Sequence, residues 1–278
     1  MRLGKDMTNP EVYKFFSDYV YQHTGILYKE QDYYRLDSRF NTLVKKFEVK
    51  DASELFNLYV QKITPEMHTI LIDLCTNNET YFMRDLKPFK AFAKEGMDYL
   101  KETFPNSISY NIWSAACSTG QEPLSLLMAL DSFGDKLNLN KYRIEASDIS
   151  TNALDKAKKG LYTGLEVQRG LPANLLIQYF SQVEDNWQVN KDLHNKISFK
   201  KLNLLTESFP LNEYHIIFCR NVLIYQDMEN KKKILSKISD AIKPGGLLFM
   251  GAGESLIGVD IPMKQLELGK AFCYVKDS

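Results

Sequence analysis

Two carboxylates and an arginine–asparagine pair frame the chemistry open to this chain. Glu122 follows a turn of small residues, Asp148 ends one apolar run, and Arg220–Asn221 end another. The stretch Y-N-I-W-S-A-A-C-S-T-G-Q-E-P, residues 110–123, reads as a strand from Tyr110 to Ala115, then a small-residue turn from Ala116 to Gly120. A helix follows, with apolar positions at Leu124, Leu127 and Met128. Strand, tight turn and helix form the first unit of a nucleotide-binding α/β fold. Small side chains let backbone approach a ligand, and a helix start offers unpaired N–H groups. A pyrophosphate is disfavoured: the turn has only Gly120 where a dinucleotide site needs G-x-G-x-x-G, and Glu122 puts a negative charge at the helix start. A cationic or hydroxyl-bearing ligand suits this turn better.

Arg143 to Ser147 reads as a second strand, so Asp148 stands at its C-terminal end, where open α/β sheets bind ligands. A carboxylate there commonly reads ribose hydroxyls. Glu122 suits an ammonium group or a second ribose. Tyr81, Phe82 and Tyr225 are expected near the same rim, facing an adenine or a sulfonium. A nucleoside amino acid such as S-adenosylmethionine meets all three demands. Each residue also has an ordinary structural use: Asp148 as a helix cap, Glu122 as a complement to the helix dipole, Arg84 as a solvated arginine.

The elements that must hold these residues fall into two parts. Before residue 76 the periodicity predicts helices. One is built on Val12, Phe15, Phe16, Tyr19 and Val20 and ends at Gly25. A second spans about Glu30 to Phe47, a third opens at Asp51, and a fourth starts at Thr64–Pro65. Arg35, Arg39, Lys45 and Lys46 lie on the polar face of the second. Residues 76–108 read as a linker, T-N-N-E-T-Y-F-M-R-D, followed by a linking helix. Residues 109–278 read as a strand–helix domain with a small β insertion at about 172–201. In that insertion a helix from Asn174 to Phe180 leads to a hairpin of Trp187 to Asn190 with Ile197 to Lys201. The main sheet resumes at His215 to Cys219. A helix from Asp227 to Ile242 ends at Lys243-Pro-Gly-Gly246, and strands follow at Leu247 to Met250 and Ala271 to Lys276. The last is expected as a reversed edge strand.

The 35 Lys+Arg against 35 Asp+Glu leave a net charge of zero, so no global field favours nucleic acid or an anionic membrane. No apolar run has the length of a membrane span, and MRLGKDMTNPEV has no secretory-leader core. Cys75, Cys117, Cys219 and Cys273 are scattered, as expected of reduced thiols in a cytoplasmic protein. His23, His68, His194 and His215 are equally dispersed, so no metal site is expected.

Several ordered motifs resemble those of the bacterial chemotaxis receptor methyltransferases, the CheR family. The family's N-x-T-x-F-F-R resembles Asn78 to Arg84. Its W-S-A-A-x-S-T-G-E-E-P is similar to Trp113 through Pro123, with Gln121 for the first Glu. Its D-I-x-x-x-x-L-x-x-A-x-x-G-x-Y fits Asp148 to Tyr162, its N-L-L fits Asn203 to Leu205, and its F-C-R-N-V-x-I-Y-F-D fits Phe218 to Asp227, with Gln226 for Phe. The resemblance covers nearly the whole chain. It implies a Rossmann-like α/β methyltransferase sheet preceded by a helical bundle, and an S-adenosylmethionine-dependent O-methyltransferase acting on receptor glutamates.

By the same resemblance Asn78, Thr80 and Arg84 touch the cofactor from the linker side. Glu122 and Asp148 hold its polar groups, and Asn203, Leu204, Arg220 and Asn221 complete the pocket. Arg84 and Tyr225 lie near the transferred methyl, and Arg39 helps to meet the acidic cytoplasmic helical bundle of a chemoreceptor. The short segment between Phe180 and Phe199 lacks the glycines expected for tail binding, which makes docking of a receptor tail peptide doubtful. A carboxylate acceptor of pKa ~4.3 is already ionised at neutral pH, so displacement on a sulfonium methyl needs no general base, in keeping with the lack of a His or Cys nucleophile. Three alternatives stand beside this reading: a methyltransferase of another substrate class, a non-catalytic receptor-docking or S-adenosylmethionine-sensing module, and, weakest, a dehydrogenase.

Overall fold

The computed structural model describes residues 9–134 and 141–277. Most of the leader stretch read above therefore lies outside the described residues. The chain divides into two units. One runs to Asn77 and takes in Tyr225–Asp227; the other comprises Asn78–Ile224 and Met228–Ser278.

The first unit is helical: Pro10–Thr24, Tyr34–Lys46, Ala52–Gln61 and Pro65–Cys75. Each boundary has a local cause. Asn9 and Thr64 cap the first and last helices, each with proline in its first turn, and Asp51 caps the third through the N–H groups of Ser53 and Glu54. Gly25 closes the first helix at φ 74°. The second helix is shorter than its periodicity predicts, because a separate 3-10 turn, Glu30–Asp32, precedes it. Phe16, Leu36, Phe40, Leu43, Leu55 and Tyr59 make the core. Tyr225–Asp227 is tied in by Asn77 Nδ2 donating to Tyr225 Oη (2.7 Å), Gln226 Nε2 to the Thr24 carbonyl (3.0 Å), and Tyr21 Oη to Asp227 (2.5 Å).

The second unit is built on a seven-stranded sheet. Its strands are β1 (Tyr110–Ala115), β2 (Tyr142–Asp148), β6 (Ile197–Lys201), β7 (Tyr214–Cys219), β8 (Ile242–Met250), β9 (Met263–Leu268) and β10 (Ala271–Lys276), in the order β6-β2-β1-β7-β8-β10-β9. The pairs from β6 to β8 are parallel; β10 runs antiparallel to both neighbours. This is the expected Rossmann-like sheet, and Ala271–Lys276 is reversed as expected, but it is not the edge: Met263–Leu268 lies beyond it. Phe218 and Phe249 stack at 4.7 Å, and Phe92 meets Phe218 edge-on at 5.3 Å. The expected linking helix is one continuous rod with a π-helical turn, Phe92–Gly96, between Lys87–Ala91 and Met97–Thr103. His215 is buried; its Nδ1 accepts the Asn111 N–H (3.0 Å), and burial, then Lys243, lower its pKa to about 4. All four cysteines are free and buried, and burial pushes the Cys75 and Cys273 thiols up to about 12.

Three expectations about strands are corrected. Ile197–Lys201 is not half of a hairpin but the edge strand β6, running parallel to β2. The hairpin instead joins β4 (Phe180–Val183) to β5 (Asn186–Val189) across Glu184–Asp185, with Glu184 at φ 53°. Neither turn residue is glycine, so the usual hairpin signal is missing. With β3 (Leu161–Thr163) these strands make a separate three-stranded sheet. Strand β8 starts at Ile242 rather than Leu247: its ladder with β7 jumps from Tyr214–Ile242 to Ile216–Leu247, so Lys243 to Gly246 bulge out of it. Met263–Leu268, unassigned from sequence, is the strand beyond β10.

Candidate active site

The turn after β1 is tightly wound. Ala116, Ser118 and Gly120 have φ of 60°, 51° and 93°, and left-handed backbone at non-glycine residues is held only where surroundings over-determine it. Here they do. Cys117 N–H bonds the Ser147 carbonyl (2.8 Å), Ser118 N–H the Asp148 Oδ2 (2.7 Å), and Tyr162 Oη the Thr119 carbonyl (2.9 Å). Asp148 is thus the anchor of the turn. Its Oδ1 accepts the Ser150 N–H (2.9 Å), while the following helix, Thr151–Lys159, is capped by Ser150 through the Ala153 N–H. The capping use of Asp148 is taken by its neighbour, and two backbone donors orient the aspartate at the C-terminal end of β2.

Glu122, in the first turn of Gln121–Phe133, accepts from Ser114 Oγ (2.8 Å) and from Arg220 Nη1 (3.1 Å). Burial raises its pKa, against the pull of Arg220 and Ser114. The Arg220 side chain is 1% exposed. Its Nη2 donates to the Arg84 carbonyl and to Asp85 Oδ2 (both 2.9 Å), and its guanidinium lies 5.2 Å from the Phe89 ring centre. Its buried Nε has no hydrogen-bond partner among the described residues. Arg220 therefore ties the rim of β7 to the helix after β1 and to the linker stretch at Arg84–Asp85.

The linker stretch lies across the same turn. Ser118 Oγ donates to the Asn78 carbonyl (2.8 Å), and Asn78 Nδ2 reaches Ser150 Oγ (3.3 Å). Thr80, with Asn78, Glu79, Thr119, Gln121, and Arg169, lines a hollow of about 320 Å³. Arg84 Nη1 donates to the Glu79 carbonyl (3.0 Å), and Arg84 and Arg169 stand 5.6 and 4.6 Å from the Tyr81 ring centre. Arg169 also pairs with Glu79 (2.6 Å), which lowers the Glu79 pKa. Phe82 corrects an expectation: it does not face the rim but is fully buried, edge-on to Tyr162 and Phe180.

Asn203 Oδ1 accepts the Leu205 N–H (2.9 Å) in a turn after β6, and Leu204 packs in the core with Trp113 and Ile217. Asn221 follows β7 at φ 58°. The unit thus holds two bonded clusters: Asn78 with Asp148 through Ser118 and Ser150, and Ser114, Glu122, Arg220, the Arg84 carbonyl and Asp85. Arg39 and Tyr225 belong to the helical unit. Arg39 Nη1 donates to Ser38 Oγ (2.8 Å), and its buried Nε has no hydrogen-bond partner among the described residues.

A family model described as "CheR methyltransferase, SAM binding domain" matches residues 78–272. The chain belongs to the CheR methyltransferase family. It is 36% identical over 252 residues to chemotaxis protein methyltransferase 1 of Pseudomonas aeruginosa, covering 88% of this chain and 90% of that one. It is 33% identical over 264 residues to chemotaxis protein methyltransferase Cher2 of Pseudomonas putida, covering 93% and 95%. With the chemotaxis protein methyltransferase of Borreliella burgdorferi it shares 35% over 245 residues, 86% of each chain.

The cofactor of a CheR methyltransferase is S-adenosylmethionine, and the donor set here fits it. Two buried or nearly buried carboxylates, one at the end of β2 and one in the first turn of the helix after β1, favour hydroxyl and ammonium groups and oppose a phosphate chain. The orphaned Arg220 Nε is a buried donor still able to serve an acceptor. Among the described residues no group of three or more His, Cys, Asp or Glu can hold a metal, and no helix is long and apolar enough to cross a membrane.

Three side chains that hold the candidate site together are not singled out by the sequence. Asp85 completes the Arg220 network, Ser118 links Asp148 to Asn78, and Glu254 gathers the N–H groups of Asn221, Val222, Leu223, Ile224 and Gly251. Glu254 had one signal: a carboxylate three residues past a glycine at a strand end.

Proposed function

We propose that this CheR methyltransferase methylates glutamate side chains of chemoreceptors from the cytoplasmic side. The observation that carries the reading is Asp148, held at the end of β2 by the N–H groups of Ser150 and of Ser118, the latter on the turn that leads into the helix bearing Glu122. When bound, S-adenosylmethionine supplies an electrophilic methyl on a sulfonium. Asp148 and Glu122 orient its hydroxyl and ammonium groups, with Asn78, Thr80, Asn203, Leu204 and Asn221 around them. Arg220 holds Glu122 in place and presents Nε. The acceptor carboxylate arrives ionised, pKa ~4.3, so no residue has to remove a proton. The work left to the chain is alignment and exclusion of water. Arg84 orients the acceptor carboxylate, and Tyr225 the methyl.

The partner is the cytoplasmic helical bundle of a receptor, met by the helical residues 1–75 through Arg39; residues 76–108 link these to the methyltransferase domain of 109–278. The zero net charge supports a protein substrate over nucleic acid. The hairpin β4–β5 is not assigned a receptor tail peptide.

Calorimetry of S-adenosylmethionine binding to wild type and Asp148→Ala tests the reading. Micromolar binding by the wild type and at least a tenfold loss in the variant, about 1.4 kcal/mol, are expected. Methyl transfer to a receptor cytoplasmic fragment should then fall in Arg84→Ala and in Tyr225→Phe. Absence of binding by the folded wild type, or undiminished turnover in both variants, overturns the assignment.

A further inference from the structure

Glu254 lies outside the motifs quoted from the sequence, yet its side chain accepts five backbone N–H groups. Oε1 takes those of Val222 (3.0 Å), Leu223 (2.7 Å) and Ile224 (3.3 Å), and Oε2 takes those of Asn221 (2.7 Å) and Gly251 (2.8 Å). Successive N–H groups converge on one point where the backbone alternates between left-handed and right-handed residues, which makes an anion-binding concavity. Asn221, at φ 58°, is the left-handed residue, and the 3-10 turn Leu223–Tyr225 follows it. The anion that fills the concavity is the chain's own carboxylate.

The fit has no slack. A Cβ on Gly251 would stand 2.7 Å from Glu254 Oε2, 2.8 Å from Asn221 Nδ2 and 2.9 Å from Asn221 N, so the end of β8 and the turn after β7 approach as closely as backbone allows. Four consecutive donors turned to one side oppose each other unless an acceptor offsets them. A neutral acceptor does this less well than a carboxylate, whose charge-assisted bonds are roughly twice as strong.

We infer that Glu254 is a positioning residue for the cofactor site: by anchoring the turn Asn221–Ile224 it sets the direction in which Asn221 and the preceding Arg220 enter that site. This rests on the cofactor assignment made above. The same carboxylate serves both strand ends, so its loss frees the turn without touching Asp148 or the β1 turn.

The test uses the full chain with Glu254→Gln, Glu254→Asp, Asp148→Ala and, as a control in the same loop, Gly253→Ala, where an added Cβ meets nothing within 4 Å. S-adenosylmethionine affinity is measured by calorimetry, amide exchange at residues 221–224 and 251 by NMR, and kcat and KM with a receptor fragment. Glu254→Gln should expose those five amides to exchange, weaken cofactor binding at least tenfold and raise the KM for the cofactor. The KM for the receptor fragment should stay within twofold. Glu254→Asp should recover part of the loss, and Gly253→Ala should match wild type. A folded Glu254→Gln with exposed amides and cofactor affinity within twofold of wild type overturns the inference, and the same result in Glu254→Asp does so if the glutamine variant does not fold. Failure of both to fold assigns Glu254 to folding alone and equally overturns it. Loss of binding in Asp148→Ala beside unchanged Glu254→Gln refutes the positioning role and leaves the function standing; no binding by wild type refutes both.

Discussion

Replacing Arg220 by methionine should be among the most damaging changes available, and for a reason that can be taken apart. The guanidinium is 1% exposed and faces Glu122, itself 12% exposed, and Asp85, 38% exposed. Removing one partner of a buried pair leaves a charge stranded in low dielectric and costs about 3–5 kcal/mol. The Asp85 arm, open to solvent, contributes at most about 1 kcal/mol, and the bond to the Arg84 carbonyl about 1 kcal/mol. Most of the loss therefore belongs to Glu122. Arg220→Met with Glu122→Gln should return to within about 2 kcal/mol of wild type, a coupling of about 2 kcal/mol or more between the two sites. Urea unfolding, followed by tryptophan fluorescence, measures all four proteins.

A pH signature separates this account from simple loss of packing. Burial raises the Glu122 pKa, and without Arg220 nothing offsets it but Ser114. A carboxylate with a raised folded-state pKa binds protons more readily folded than unfolded, so acidification stabilises the fold at that group. The deficit of Arg220→Met relative to wild type should therefore shrink between pH 7 and pH 5. Additive losses in the double variant, with coupling under about 0.5 kcal/mol, or a deficit unchanged with pH, would defeat the argument.

Two further expectations follow from the same reasoning. His215, lowered to about 4 by burial and Lys243, binds no proton in the fold where the unfolded chain, at about 6.5, binds one. Its contribution is whole above pH 6.5 and disappears as pH falls toward 4, worth about 3 kcal/mol at most; His215→Leu should flatten that part of the stability profile in chemical denaturation. Gly170 has φ 89°, and an added Cβ would stand 2.1 Å from the Phe82 carbonyl; Gly170→Ala should cost more than the ~1–3 kcal/mol of backbone strain alone and displace Glu79–Phe82, read as a lower melting temperature and weaker cofactor binding.

The chemistry that lay in one stretch of chain was legible before the structure. Tyr110 to Pro123 announces its strand, turn and helix by apolar run, small residues and a proline, and Asp148 is placed by the run before it. What depends on residues far apart was not. Arg220 reads as one arginine after a strand; its partners Glu122 and Asp85 lie 98 and 135 residues away. Glu254 was invisible for a different reason: its donors are backbone N–H groups, which no residue type reports. Ile197–Lys201 was paired wrongly because alternation marks a strand without naming its neighbour, and Met263–Leu268 was missed because Lys264, Gln265 and Glu267 are exposed edge residues that dilute the apolar signal.

The strand order also sets a schedule for synthesis. In the described sheet β9 has β10 as its neighbour and no other, while β10 lies between β8 and β9. As the chain leaves the ribosome, β9 emerges first but has nothing to pair with until Ala271–Lys276 follows it. The two strands must join together, as a hairpin closed over Gly269, which stands at φ 57°. A stalled or clipped chain ending between Leu268 and Ala271 would therefore lose two strands, not one. It would leave the β8 edge, Leu247 and Leu248, open to strands of other molecules.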